Sequence, residues 1–313
     1  MLEPDTAGDP MTGLKWTRKT TRKISAELGK AGLRVSHTTV ARLLGQLNYR
    51  LRVNHKKIAG NGHPQRNTQF EHIATQRRLC AQSETPLISV DTKKKELVGP
   101  FKNGGTVWSR QPRAVRDHDF RSEGKGMAIP YGIYDVEANR AAVFVGTSHD
   151  TADFALDAIV AWWRTEGSLR YPNAEQLFIL ADNGGSNGST HHAWKHALQH
   201  KLADPFGITV TVCHYPPATS KWNPIEHRLF AQISQNWAGE PLISYETIIN
   251  FIRTTTTETG LKVTATMLEG DYPTGVKISK REMKQLSIES DALCPQWNYT
   301  VRPRAAAKCE VIS

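Results

Sequence analysis

The stretch LFILADNGGSNGS, residues 177–189, decides how the rest of the chain is read. An apolar run ends in Asp182, and a loop of Asn, Gly and Ser follows at once. A short apolar run bounded by turn residues reads as a buried strand, and Asp182 then stands at its carboxyl end. A carboxylate there can bind a metal, act as a base or cap a turn. An isolated Asp before Asn-Gly-Gly is most often a turn residue. The elements on either side decide which reading holds.

Working outward from this strand, ITVTVCHY (208–215) is a second strand downstream, with a helix from about Ser189 to Ala203 between the two. Upstream, TADFALDAIVAWWRT reads as a helix capped by SHDT (148–151). Before it, PLISV (86–90), AIPYGIYDV (128–136) and AAVFVGTS (141–148) are three further strands. A long helix opens near Ile225 and runs to about Trp237. The order β-β-β-α-β-α-β-α predicts an α/β domain. It is a mixed five-stranded sheet flanked by helices, of RNase H-like order.

Three acids occupy special positions in that order. Asp91 ends the first strand, Asp182 ends the fourth, and Glu226 opens the helix after the fifth. The first and fourth strands of such a sheet lie side by side, so Asp91 and Asp182 are expected to meet, with Glu226 approaching from the adjacent helix. Glu240 and Asp150 stay open as the third member. Carboxylates brought together repel unless a cation holds them, and hard oxygen ligands suit Mg²⁺ or Mn²⁺. Two such ions ~3.5–4 Å apart can activate an attacking oxygen and stabilise a leaving one at a phosphodiester. The glycines after Asp182 would let a DNA backbone come close without meeting a Cβ.

The N-terminal part points to the same substrate. Net charge is +10, yet residues 1–66 hold thirteen Lys/Arg against four Asp/Glu, a net of +9. A concentrated basic segment favours a polyanion, most often nucleic acid, over a merely solvated tail. In residues 17–50, Ile24, Leu28 and Ala31 recur at helical spacing. Gly32 then allows a turn and Ser36 can cap a second helix with Val40, Leu43, Leu44 and Leu47 as its apolar stripe. This is the pattern of an all-α helix-turn-helix domain, with an ordinary helical hairpin as the bland alternative. Its second helix would present His37, Thr38, Thr39 and Arg42, with Gln46 beyond them, to the major groove.

The remaining candidates cluster near the acids. Lys93, Lys94 and Lys95 follow Asp91 and could hold phosphates at the rim, or form a solvated charge run. Lys221, Trp222 and Asn223 precede Glu226 as further DNA contacts; Trp222 could stack on an unpaired base or belong to the core. His227 could orient water or the scissile phosphate. His192, His196 and His200 share a helix face, but no acid or Cys completes a zinc set locally. GGSNGS has no following Lys-Ser/Thr, so it is not a phosphate loop and ATP is not implied. Cys80, Cys213, Cys294 and Cys309 are scattered and read as reduced thiols. No apolar run is long enough for a membrane span and no signal peptide opens the chain. A cytoplasmic, nucleoid-associated protein is therefore expected.

Longer strings carry a specific resemblance. SVDTKKKELVGPFKNGG, GIYDV, VGTSHDTADFA, ADNGGSNGS, CHYPPATSKWNPIEHRLF and YPTGVK together resemble the DDE-type transposases of bacterial insertion sequences, in particular the Rhodopirellula-type family, from about Glu3 to Val301. The resemblance implies an RNase H-like core, a divalent metal, and an acidic triad at Asp91, Asp182 and Glu226. It implies binding of terminal inverted repeats, cleavage that frees a 3′-hydroxyl, and in-line attack of that hydroxyl on target DNA. Two ends processed together imply a homodimer or larger assembly on DNA. Asn183 stands where the family leads us to expect Gly, and Asn tolerates the same backbone conformations. Family members usually carry more sequence ahead of the helix-turn-helix. The alternative expectation is accordingly a truncated, catalytically inactive copy that acts only as a DNA-binding protein or repressor. The expected domains are 1–51 (helix-turn-helix), 52–84 (basic linker and connecting helix), 85–240 (catalytic core) and 241–313 (a helical, then irregular extension).

Overall fold

The computed structural model of the chain describes residues 6–8, 15–17, 19–51 and 63–304. Much of the expected basic linker, the basic C-terminal tail and Cys309 lie outside the described residues. The chain divides into two units, Met1–Gly60 and Asn61–Ser313.

The first unit pairs β1 (Thr6–Gly8) with β2 (Lys15–Thr17) antiparallel and continues into α1 (Thr21–Lys30) and α2 (His37–Gln46). The strand pair is an addition to the all-α domain expected here. Both helices start where a hydroxyl can cap them. Thr20 Oγ1 accepts the Lys23 N–H at 3.2 Å and Ser36 Oγ accepts the Thr39 N–H at 3.1 Å, each satisfying a donor that no helical carbonyl reaches. Gly32, at φ +85°, makes the reversal between them, a conformation that a Cβ would strain. Ile24 and Val40 are buried, but Leu43 and Leu47 of the expected stripe are exposed among the described residues.

The second unit opens with α3 (Arg66–Ser83) and β3 (Leu87–Thr92). β4 (Glu96–Val98), β5 (Gly126–Asp135) and β6 (Arg140–Gly146) follow. α4 (Ala152–Trp162) continues through a wide π-type turn, Trp163–Gly167, into a last turn, α5 (Ser168–Arg170). Next come β7 (Gln176–Ala181) and α6 (His192–Ala197), the latter prolonged through Leu198–Ala203 into α7 (Asp204–Phe206). β8 (Thr209–His214) leads to a π-type turn, Glu226–Phe230, and α8 (Ala231–Asn236). The chain then runs through α9 (Tyr245–Arg253), β9 (Lys262–Met267), α10 (Lys280–Lys284), β10 (Ile288–Ser290) and β11 (Asn298–Val301).

Within the sheet the order is β10-β11-β8-β7-β3-β5-β6-β9, with β4 also paired to β5, nine strands among the described residues. Its centre, β8-β7-β3-β5-β6, is the five-stranded mixed sheet read from the sequence. β3, β7 and β8 run parallel, and β5 is antiparallel to both β3 and β6. The difference lies at the edges. The segment from 241, expected as a helix and irregular stretches, supplies β9 against β6 on one side and, on the other, β11 against β8 with β10 beyond it.

Strand alternation sorts side chains to two faces. Ile88 and Val90 of β3 pack with Phe154, Trp162 and Trp194 of α4 and α6. Leu87, on the opposite face, joins Phe178, Leu180 and Ile73 of α3. The same face, further along the sheet, is covered by Ile225, Leu229, Phe230, Ile248 and Ile252. Ser89 and Asp91 follow Leu87 at the two-residue period, so they point toward this second layer.

Candidate active site

Parallel pairing of β3 with β7 sets Val90 beside Ala181, so the next residues out are Asp91 in β3 and Asp182 just past the end of β7, on the same face by the two-residue alternation. Asp91 is 8% exposed and accepts the Thr92 N–H on Oδ1 at 2.7 Å. Asp182 Oδ1 is buried with no hydrogen-bond partner, the one such side-chain atom among the described residues. An unpartnered buried carboxylate oxygen is unfavourable by itself and points to a missing cation or donor. The loop beyond it is closed by Asn183, whose Oδ1 accepts both the N–H (3.1 Å) and the hydroxyl (2.7 Å) of Ser189.

Glu226 is brought to these carboxylates by a clamp that reaches back more than a hundred residues. The Ser89 hydroxyl donates to Asn223 Oδ1 at 2.5 Å, Asn223 Nδ2 donates to the Val90 carbonyl at 3.1 Å, and the Ile225 N–H donates to Ser89 Oγ at 3.0 Å. Gly132, opposite Asp91 on β5, lets the turn settle onto the sheet. A Cβ there would lie 2.6 Å from Phe230 and 2.8 Å from Ile225. Glu226 opens the π-type turn directly above. Such wide turns recur at functional sites.

Electrostatics bear out the crowding. Burial raises the Asp91 carboxyl well above its ordinary range, and the charges of Asp182 and Glu226 push it further. Asp182 is raised to about 6 by burial, with Glu226 and Asp150 adding and the Gly184 N–H opposing. Burial also raises Glu226, against the pull of His227 and Lys93. Asp150 is a fourth neighbour, but it already has partners: it accepts the Thr92 hydroxyl at 3.0 Å and lies 3.9 Å from Lys95 Nζ. Glu240 pairs with Arg113 at 3.1 Å, away from the group.

Oxygen donors, mutual repulsion and one unpartnered oxygen fit a hard divalent cation. The set is not a closed cage. Among the described residues no three His, Cys, Asp or Glu side chains stand ready to hold a metal as they lie. On the face of α6 and its continuation, His196 and His200 stack, ring centroids 4.0 Å apart. Like charges held by strand register and a helix start can go no closer until something offsets the repulsion.

Two clefts open on the carboxylates, one of about 320 Å³ edged by Lys94, Lys95 and Gly185, the other of about 680 Å³ beside Glu226, Lys221 and His227. Lys94 is largely exposed, Lys95 half so, and Trp222 is 54% exposed with Lys221 over its ring at 5.6 Å. Two other expected DNA contacts, Lys93 and Asn223, are buried. Lys93 is 6% exposed, bonded to Glu96 at 3.2 Å and stacked on Trp237 at 4.5 Å, and burial lowers its pKa against the pull of Glu96. It still lines both clefts, and its charge acts on Glu226. Asn223 is fully buried in the clamp and has no surface to offer a ligand. Ser89, Gly132 and Thr92 also shape this candidate site, although no motif in the sequence marks them. The paired Ser and Asn carry no local pattern, although Asn-Pro ahead of a helix already marks a fixed entry.

A family model described as the Rhodopirellula transposase DDE domain matches residues 1–303. No curated protein matches the chain. Among solved structures, the Mos1 transposase paired-end complex with left transposon end is similar at 17% identity and TM-score 0.46, covering 75% of this chain and 65% of that one. The Mos1 mariner paired end complex with Mn is similar at 16% identity and TM-score 0.45, with the same coverage. The mariner Mos1 paired end complex with Mg is similar at 15% and 0.47, covering 79% of this chain and 73% of that one. The chain thus spans just under two thirds of the first two.

Proposed function

Because the chain belongs to the Rhodopirellula transposase DDE family, we propose that it is a DNA transposase that cuts at the ends of an insertion sequence and joins them to target DNA. The observation that supports this best is that buried Asp91 feels the charges of Asp182 and Glu226 while Asp182 Oδ1 has no partner. These three would hold Mg²⁺ or Mn²⁺, two ions in our reading. Bound there, the metal supplies Lewis-acid stabilisation of charge at a phosphodiester and eases ionisation of the attacking hydroxyl.

The chain's own groups do the rest. The Thr92 N–H holds Asp91, and the Ser89–Asn223 clamp holds the start of the Glu226 turn. Gly184 and Gly185 leave room for a phosphate backbone beside Asp182. Lys94, Lys95 and Lys221 offset its charge, and Trp222 offers a face for an unpaired base. Water displaces the 3′-oxygen at the element's end, and that hydroxyl then displaces a 3′-oxygen in the target. Each step breaks one P–O bond and forms another, with no bond to the protein. Two ends handled together call for two or more copies on DNA.

The first unit would find the ends. In α2, His37, Thr38 and Arg42 are exposed and Thr39 half-buried, with the Thr38 and Thr39 hydroxyls steadied by Ser36. Arg42→Ala is expected to weaken binding to the element's own end by ~10-fold or more, as for one lost base contact. Anisotropy titration against end and scrambled duplexes checks this: equal loss on both would make Arg42 a phosphate contact only.

The reading is tested by nicking of a labelled duplex carrying the DNA that flanks the gene, with Mg²⁺ or Mn²⁺. Cutting at the end is expected for the wild type and absent for Asp91→Asn, with end binding retained. Binding without cutting in both proteins would leave a DNA-binding role alone.

A further inference from the structure

Behind Asp182 lies a buried chain of hydrogen bonds that neither cutting nor joining uses directly. Trp194 Nε1 donates to the Tyr299 hydroxyl oxygen at 2.8 Å. That hydroxyl is 3.0 Å from His214 Nε2, and His214 Nδ1 is 2.9 Å from the backbone carbonyl oxygen of Asp182. All three side chains are buried.

The chain has a single direction. An indole N–H can only donate, so the phenol oxygen accepts from Trp194 and turns its own proton to His214 Nε2. Nε2 then accepts, and the imidazole carries its proton on Nδ1, where it donates to the Asp182 carbonyl. The opposite tautomer would set an Nδ1 lone pair against that carbonyl. His214 is itself held, since its own carbonyl accepts from buried Gln69 Nε2 at 2.9 Å.

Position gives this anchor its meaning. β7 ends at Ala181, so the Asp182 carbonyl lies past the end of the strand, and a glycine pair follows in which Gly185 has φ +57°. His214 therefore grips the backbone at Asp182 itself, between the end of β7 and the loop closed by Asn183 and Ser189. We propose that His214, locked in one tautomer by Tyr299 and Trp194, is a positioning residue that fixes the backbone at Asp182 and with it the aim of the Asp182 carboxylate. The inference rests on reading Asp182 as a metal ligand. Partners beyond the ligands commonly change metal affinity by ~10–100-fold.

The test is an Mn²⁺ titration of the full chain, followed as thermal stabilisation, for the wild type, Asp182→Asn, Tyr299→Phe, His214→Asn and the last two combined. Tyr299→Phe keeps the ring and removes the proton that locks His214. It is expected to raise the Mn²⁺ midpoint by ~10-fold or more, beside a lower metal-free melting temperature, because the Trp194 N–H and His214 Nε2 lose their buried partner. His214→Asn places an amide donor near Nδ1 with no tautomer to lock. Adding Tyr299→Phe to it should shift the midpoint no further. A Tyr299→Phe midpoint equal to wild type, with Asp182→Asn silent, would overturn the inference. So would equal shifts from Tyr299→Phe in both backgrounds, which a merely structural role produces. If Asp182→Asn itself responds like wild type, it is the ligand reading of Asp182 that fails. Should Tyr299→Phe not fold, the inference falls if His214→Leu titrates Mn²⁺ like wild type.

Discussion

Asp182→Asn is expected to abolish strand cutting and, in metal-free buffer at pH 7, to make the protein more stable than wild type. The two effects share one cause. Asp182 is raised to about 6 against a reference of 3.8, because burial and the Glu226 and Asp150 charges disfavour its ionised form. A carboxyl whose folded pKa is raised binds its proton better in the folded state. Its ionisation therefore erodes stability as pH rises from about 4 through about 6. Asn removes that charge at nearly constant volume. A rise of that size would correspond to ~3 kcal/mol, and partial exposure reduces this to about 1–2 kcal/mol. For a unit of this size that is a rise of roughly 3–6 °C in melting temperature. Calorimetry in EDTA across pH 4–7 checks it: the gain should be present at pH 7 and fade as pH falls toward 4. A variant that loses both cutting and stability would place Asp182 in the structure rather than the chemistry.

Asn223→Ala should have the reverse signature, a large loss of stability together with cutting. Asn223 is fully buried, accepts from Ser89 and donates to Val90. Truncation leaves the Val90 carbonyl without its donor, robs the Ser89 hydroxyl of its acceptor and opens a small cavity. Each unmet buried group costs ~1–3 kcal/mol, so ~3 kcal/mol in total is expected. Urea unfolding measures it. The Ile225 N–H would keep only a loosened Ser89, so Glu226 would drift from Asp91 and Asp182. Cutting by the folded fraction should therefore fall well beyond what stability explains. Binding to end DNA by the first unit should persist.

What could be read along the chain follows from what is local. The five central strands are apolar runs with turn residues at their ends, and the helices carry caps at Thr20, Ser36 and Thr151. Burial and capping act over a few residues, so they leave a trace in sequence. The acids were legible for the same reason: each closes a strand or opens a helix. The edges were not. β9 reads KVTATM, half exposed along its length, and strands of this kind gain their partner only from across the chain.

The sequence by itself therefore determined the order of the central elements, the nature of the three acids and the concentration of positive charge ahead of residue 67. Only the tertiary structure decided that Val90 pairs with Ala181, that Asn223 lies inside, bonded to Ser89, and that Lys93 lies buried on Trp237. It also decided that residues from 262 on complete both edges of the sheet, bringing Tyr299 behind Asp182. The physical reason is separation along the chain. Ser89 and Asn223 satisfy one another because the fold buries both and leaves neither any water. No spacing between residues 134 apart records that in advance.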